Sequence, residues 1–115
     1  MSDDMQELIA RLEQAKGSVQ APHLKRIIDA AWRAKWISDA TWHRAEEYLN
    51  VGAYLDAAAL LVPDGWIWWV NSRNYARLWI VEDDRVAAVA QSQECATPAL
   101  ALAAAALRAH NWSYE

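Results

Sequence analysis

Residues 55–70 read LDAAALLVPDGWIWWV, and this stretch decides the fold class because its hydrophobic pattern changes within a few residues. Up to Val62 the pattern is typical of a helix, which Pro63 ends because proline lacks the backbone N–H that a further turn needs. From Trp66 onward inward and outward positions alternate, as in a strand with two different faces. The stretch therefore predicts a helix, a Pro-Asp-Gly turn and a strand in direct succession.

Two more strands are predicted after this one, over residues 76–82 and 85–91. Asp83 and Asp84 form a tight-turn candidate between them, and two short hairpins give an antiparallel meander without a crossover. Residues 96–109 read ATPALALAAAALRA and predict a last helix, with Thr97 as its cap and Pro98 at its first position.

The first half of the chain predicts helices over residues 3–15, 23–36, 39–49 and 53–62, from apolar residues that recur at helical spacing. Ser38 is placed to cap the third of these. We predict a single α+β domain over residues 1–115, with a three-stranded antiparallel β-meander layered against helices. The expected order of elements is α-α-α-α-β-β-β-α.

Composition limits the classes of protein to consider. The 115 residues are 55% apolar and 23% charged, which favours one folded domain with one core. The net charge of −4 argues against a surface that binds nucleic acid throughout. A single cysteine and an opening at Ser2-Asp3-Asp4 without a leader pattern predict a protein of a reducing, cytosolic compartment. No apolar run comes near the roughly 20 residues of a membrane span, so we predict no transmembrane segment.

No catalytic, cofactor or metal site is predicted. His23, His43, His110 and Cys95 lack a recognised ligand spacing, and the three glycines are too scattered for a phosphate-binding loop. Cys95 would need a histidine base to act as a nucleophile, and an inert loop thiol is the simpler interpretation. We therefore expect a protein that binds rather than catalyses.

The aromatic residues are unusual, with eight tryptophans and no phenylalanine. Trp66 and Trp68 share a strand face with Val70 and are predicted to lie in the core. Trp69 and Trp79 either pack under a second helical layer or form a recognition surface, because tryptophan and tyrosine beside arginine are common at interaction hot spots. The candidate protein-binding residues are Trp69, Arg73, Tyr75, Trp79 and Trp36, the last on the second predicted helix.

A nucleic-acid surface is the alternative from a different class. Basic residues interleave with Trp32, Trp36 and Trp42 on the second and third predicted helices, a pattern that suits phosphate contacts and base stacking. A solvated helix face with its aromatic side in the core explains the same pattern. The candidate nucleic-acid contacts are Lys25, Arg26, Arg33, Lys35 and Arg44.

The last helix is apolar around its circumference. We expect it either to be covered on both sides or to pair with another copy of the chain. A homo-oligomer through residues 98–109, and with it a self-assembling structural or minor virion component, is the third hypothesis.

Three segments carry a resemblance to a known family: Glu7 to Glu13, residues 55–70 and residues 96–109. Together they resemble the phage ABA sandwich domain family, which implies a small antiparallel sheet packed with helices and a phage or prophage origin. The chain departs from that pattern in a Trp-rich helical insertion at residues 22–49, in Trp69, where a polar residue is more typical, and in an aromatic tail at residues 110–115.

The expected function is therefore that of a phage- or prophage-encoded accessory protein that binds a host or phage protein. Inhibition of a bacterial defence system is one setting that the resemblance and the small acidic chain suggest.

Overall fold

The computed structural model describes the backbone of residues 3–113 and the side chains of residues 5–111. Its elements are α1 (Asp3–Gln14), a single 3-10 turn (Gly17–Val19), α2 (Gln20–Arg33), α3 (Asp39–Asn50), α4 (Tyr54–Ala59), β1 (Ile67–Val70), β2 (Ala76–Glu82), β3 (Arg85–Gln91) and α5 (Pro98–Ser113). The predicted α+β class and the predicted order of elements are confirmed. Of the predicted aromatic tail, the side chain of Trp112 and all of Tyr114 lie outside the described residues.

Local chemistry explains where the helices begin. The Ser38 hydroxyl oxygen accepts a hydrogen bond from the Thr41 N–H at 3.1 Å, and Thr97 Oγ1 accepts one from the Leu100 N–H at 3.2 Å. Both bonds satisfy N–H groups that have no partner inside a helix, so the two predicted caps are confirmed.

The second helix ends earlier than predicted, at Arg33 rather than near Trp36. Lys35 has a left-handed backbone with φ of 63°, and the Trp36 N–H donates to the Ala31 carbonyl at 2.9 Å. This pairing closes the helix in a Schellman-type turn. Trp36 therefore leaves the helix and turns toward the end of α5.

The sheet is an antiparallel meander in the order β1-β2-β3. Gly65 has a φ of +86° and the Trp66 N–H donates to the Pro63 carbonyl at 3.2 Å, a turn that requires glycine in this position. Asp83 and Asp84 both have positive φ, as a two-residue hairpin between twisted strands demands. The predicted turns before β1 and between β2 and β3 are thus present.

The core is built around α5, whose residues 99–107 are buried throughout. On one side α5 packs against the three strands, and on the other against α1, α2 and α4. Buried alanines such as Ala103 and Ala104 let neighbouring backbones come close on both sides. The expectation that this helix is covered on both sides is confirmed within one chain.

Residues 99–107 are buried within one chain and expose almost no surface to a second copy. Pairing of two copies through residues 98–109 thus has no support from the exposure of this helix, and a homo-oligomer stays a prediction. The apolar circumference of α5 is explained by the layers on either side of it.

One prediction tests this packing. Ala104→Leu should lower the free energy of unfolding by about 1–3 kcal/mol, because a close-packed layer has no room for the larger side chain. The same change at Ala40, which is exposed on α3, is the matched control and should alter stability much less. Urea denaturation followed by circular dichroism measures both, and equal effects of the two changes would contradict the central position of α5.

Candidate protein-binding site on the outer face of the sheet

The sheet has one covered and one uncovered face. Within the described residues α5 is the helix that contacts the strands, and the covered face carries Ala76, Leu78, Ala88 and Ala90, all buried. The side chains that point the other way form what we call the outer face. Its members are Ile67, Trp69, Arg77, Trp79, Val81, Val86, Val89 and Gln91.

The strand register brings the large members of the outer face together. Trp79 on β2 lies between Ile67 on β1 and Val89 on β3, and Trp69 lies directly opposite Arg77. Paired side chains of this kind are in contact across an antiparallel sheet. The outer face is therefore one continuous apolar surface with an arginine within it.

Solvent reaches most of this surface. Ile67 is 48% exposed, Trp69 40% and Val86 58%, while Trp79 in the central strand is half-buried by its neighbours. Single exposed apolar residues are common, but a contiguous group of them marks a binding surface or an aggregation risk.

A shallow cleft of about 170 Å³ opens on the outer face between Trp69, Arg77, Trp79 and Val86. An irregularity in the pairing of β2 with β3 at Ile80 and Val81 brings Val86 opposite Val81. Two indoles, a guanidinium and an aliphatic side chain thus border one cleft.

The predicted protein-binding residues are divided by the fold. Trp69 and Trp79 lie together on the outer face, as the alternation of the strands indicates. Arg73 and Tyr75 lie in the β1–β2 connection, where Arg73 pairs with Glu94 at 3.1 Å and the Tyr75 N–H donates to Asn71 at 3.2 Å. Both residues belong to the loop that connects β1 to β2 at one end of the sheet.

Arg77 is the arginine of the site, and sequence reasoning missed it. The available signal was its spacing, because residues two apart in a strand share a face and Arg77 is two residues before Trp79. The predicted arginine, Arg73, lies beyond the end of β1.

The prediction that Trp66 and Trp68 are both core residues is wrong for Trp68. Trp66 is half-buried against the core, and Trp68 faces the same way as its buried partner Leu78. Trp68 nevertheless stays 37% exposed, because β1 is a short strand at the edge of the sheet and no further strand covers its flank.

Trp36 belongs to a different part of the molecule. Its ring stacks on His110 with 4.7 Å between centroids and 5° between planes, beside a cavity of about 380 Å³ among the helix ends. His110 is 6% exposed, and its Nε2 lies 2.6 Å from the Leu61 carbonyl oxygen, to which it donates. Burial lowers the pKa of His110, although the bond to Leu61 opposes the shift.

The predicted nucleic-acid residues are also divided. Lys25 pairs with Asp29 at 3.0 Å and with Glu46, and its ammonium lies 4.8 Å from the centre of the Trp42 ring. The Trp42 indole N–H donates to Asp29 at 2.8 Å. These contacts join α2 to α3, so Lys25 has a structural role here.

Trp32 contributes to the same junction. Its ring lies 5.0 Å from that of Trp42, and its indole N–H donates to Asp39 at 2.7 Å. The remaining candidates, Arg26, Arg33, Lys35 and Arg44, are exposed. Of the three tryptophans predicted to stack on bases, Trp32 and Trp42 thus donate to carboxylates and Trp36 stacks on His110.

Cys95 is buried, and its thiol donates to the Gln93 carbonyl at 3.3 Å. Burial, with a contribution from Glu13, raises the pKa of Cys95 to about 11, so the sulfur stays protonated near neutral pH. Among residues 5–111, His, Cys, Asp and Glu side chains form no group of three that could hold a metal ion. No helix in the described part of the chain has both the length and the apolar character to cross a membrane.

Comparison with protein families, with curated proteins and with solved structures found no match. The resemblance to the phage ABA sandwich domain family thus stays a prediction from three sequence segments. The interpretation of function therefore rests on the geometry of the outer face.

One prediction concerns His110. Its pKa is depressed in the folded protein, so below the ordinary value of about 6.5 the unfolded chain binds a proton that the folded chain does not. The free energy of unfolding should therefore fall as the pH decreases from about 7 to 5, by at most about 1.4 kcal/mol per pH unit for this group.

The variant His110→Gln keeps a donor for the Leu61 carbonyl but does not titrate. Near pH 8 the free energy of unfolding of the variant should be lower than that of wild type, because the substitution removes the ring that stacks on Trp36. Between pH 7 and 5 it should depend less on pH than that of wild type. Urea titrations at several pH values compare it with wild type and with the exposed control His43→Gln. A wild-type pH dependence in His110→Gln would show that another group is responsible.

Proposed function

We propose that this protein is a non-catalytic accessory protein that binds another protein through the outer face of its sheet. The observation that carries the proposal is the uncovered, contiguous apolar surface around Trp69 and Trp79. Indoles near an arginine form the usual centre of a protein interface, because each buries much area and still offers polar contacts.

The size of the surface indicates the kind of binding. Strands of four, seven and seven residues, about 4.8 Å apart and at about 3.4 Å per residue, give a face of roughly 300 Å². A standard interface buries about 800 Å² on each partner. The outer face therefore serves as the centre of an interface whose rim lies on neighbouring elements, or as the docking site for a short segment.

The setting that we propose is a phage or prophage protein in the bacterial cytoplasm, where it inhibits a host defence system by binding one of its proteins. The support for this setting is the sequence resemblance. A buried, protonated cysteine thiol fits a reducing compartment.

The proposal is tested by placing a photoreactive amino acid at position 89 of the outer face and, as a control, at position 44 on α3. In infected bacteria, position 89 should crosslink to one discrete protein and position 44 should not. That protein is then purified for titration against this chain.

In the titration, Trp69→Ser and Trp79→Ser should each weaken binding about 30-fold or more, since a hot-spot residue contributes at least about 2 kcal/mol. Arg44→Ala should leave the affinity unchanged, and circular dichroism should show all variants folded. Crosslinks to a second copy of this chain, equal crosslinking from both positions, or wild-type affinity in the tryptophan variants would contradict the proposal. Salt-sensitive binding of labelled DNA or RNA by wild type, lost in Lys35→Ala, would favour the nucleic-acid alternative.

A further inference from the structure

Arg77 is the charged residue of the outer face, and its neighbours in the sheet carry no negative charge. Trp69 lies opposite it on β1, Gln91 opposite it on β3, and Trp79 two residues along the same strand. The diagonal neighbours of Arg77 within the strands, Ile67 on β1 and Val89 on β3, are apolar. The guanidinium is thus surrounded by indole, amide and aliphatic groups.

Carboxylates pair with three other arginines of this chain, Arg11, Arg73 and Arg108. Arg11 pairs with Glu7 at 2.6 Å, and Arg108 pairs with Glu13 at 2.6 Å. Among the side chains of residues 5–111, no carboxylate lies within ion-pairing distance of Arg77. The cleft therefore has a fixed positive charge that the folded chain does not neutralise locally.

The Arg77 guanidinium in this cleft is suited to binding a carboxylate. Guanidinium binds carboxylate through two parallel hydrogen bonds, and its planar faces lie well against aromatic rings. When a partner covers the indoles and removes water, the bond gains strength, because the local dielectric constant falls. A partner that covered Arg77 without supplying an acceptor would leave a buried charge unpaired, at a large cost.

We propose that the segment which docks on the outer face carries an isolated Asp or Glu flanked by apolar residues, the carboxylate binding Arg77 between Trp69 and Trp79. The flanking apolar side chains cover Ile67 and Val89. This inference rests on the proposed function and adds the chemistry of the partner to it.

The surrounding charges favour a single carboxylate over a polyanion. The β2–β3 turn beside the outer face carries Glu82, Asp83 and Asp84, all exposed. A nucleic-acid backbone, with a negative charge at every nucleotide, would meet Arg77 here and then be repelled by the turn, whose three carboxylates outnumber the one cation beside them, Arg85. A run of acidic residues in a protein partner would be repelled in the same way.

The test is selection of displayed random 12-residue peptides on the immobilised full-length protein. Wild type should enrich peptides with one Asp or Glu between apolar residues. Arg77→Glu should instead enrich Lys or Arg at that position, because the charge of the cleft is reversed. Arg44→Glu, the same charge change on exposed α3, should select the same peptides as wild type.

The best peptide selected on the wild-type protein is then synthesised in two forms. One keeps its acidic residue, and the other has that residue replaced by the amide, Glu→Gln or Asp→Asn. The neutral peptide should bind at least about tenfold more weakly to wild type, and the difference should vanish on Arg77→Gln. Thermal unfolding shows that the Arg77 variants remain folded.

The outcomes separate the inference from the proposed function. Peptides that lose binding with Trp69→Ser but show no acidic preference, or keep that preference with Arg77→Glu, overturn the inference and leave the function in place. Peptides that bind independently of Trp69 and Trp79, or none at all, overturn both. Binding of labelled oligothymidylate that is lost with Arg77→Gln would overturn the inference in favour of nucleic acid.

Discussion

The packing of α5 against one face of the sheet is the contact on which the rest of the structure depends. Residues 99–107 fill the space between the strands and α1, α2 and α4, so the helices lie on a single side of the sheet. A helix rich in alanine makes this layering possible, because its small side chains admit neighbours on both sides. The consequence is that no helix within residues 3–113 covers the other face of the sheet, which presents its own side chains to solvent.

Much of the fold was predictable because local signals agreed with one another. The Pro-Asp-Gly turn, the change of period at Trp66, and the caps at Ser38 and Thr97 each gave a boundary with a physical cause. The end of α2 was not predicted, since Lys35 in a left-handed conformation has no sequence signal of the kind that glycine gives. Trp68 was misjudged because alternation gives the direction of a side chain but does not tell whether a strand lies at an edge.

The candidate site was predicted in part. What was missed depends on contacts between residues that are distant along the chain. Period-two alternation could place Trp69 outward on β1 and Trp79 on one face of β2 with Arg77, but only the register shows Trp69 opposite Arg77. Trp36 was predicted to belong with them, yet its stacking partner His110 is distant along the chain and no local pattern joins the two. The junction of Lys25 with Asp29 and Glu46 likewise needs the packing of α3 on α2, which periodicity alone does not supply.

In this structure α5 is buried in the interior of the protein, while the outer face of the sheet remains open to solvent. Carbene footprinting with residue-level mass spectrometry, over a range of protein concentrations, tests it most directly. The account predicts strong labelling of Ile67, Trp69 and Val86 at every concentration and very little within residues 99–107. Protection of the outer face that grows with concentration would show that it is covered by another copy, and labelling within residues 99–107 would contradict the layered core itself.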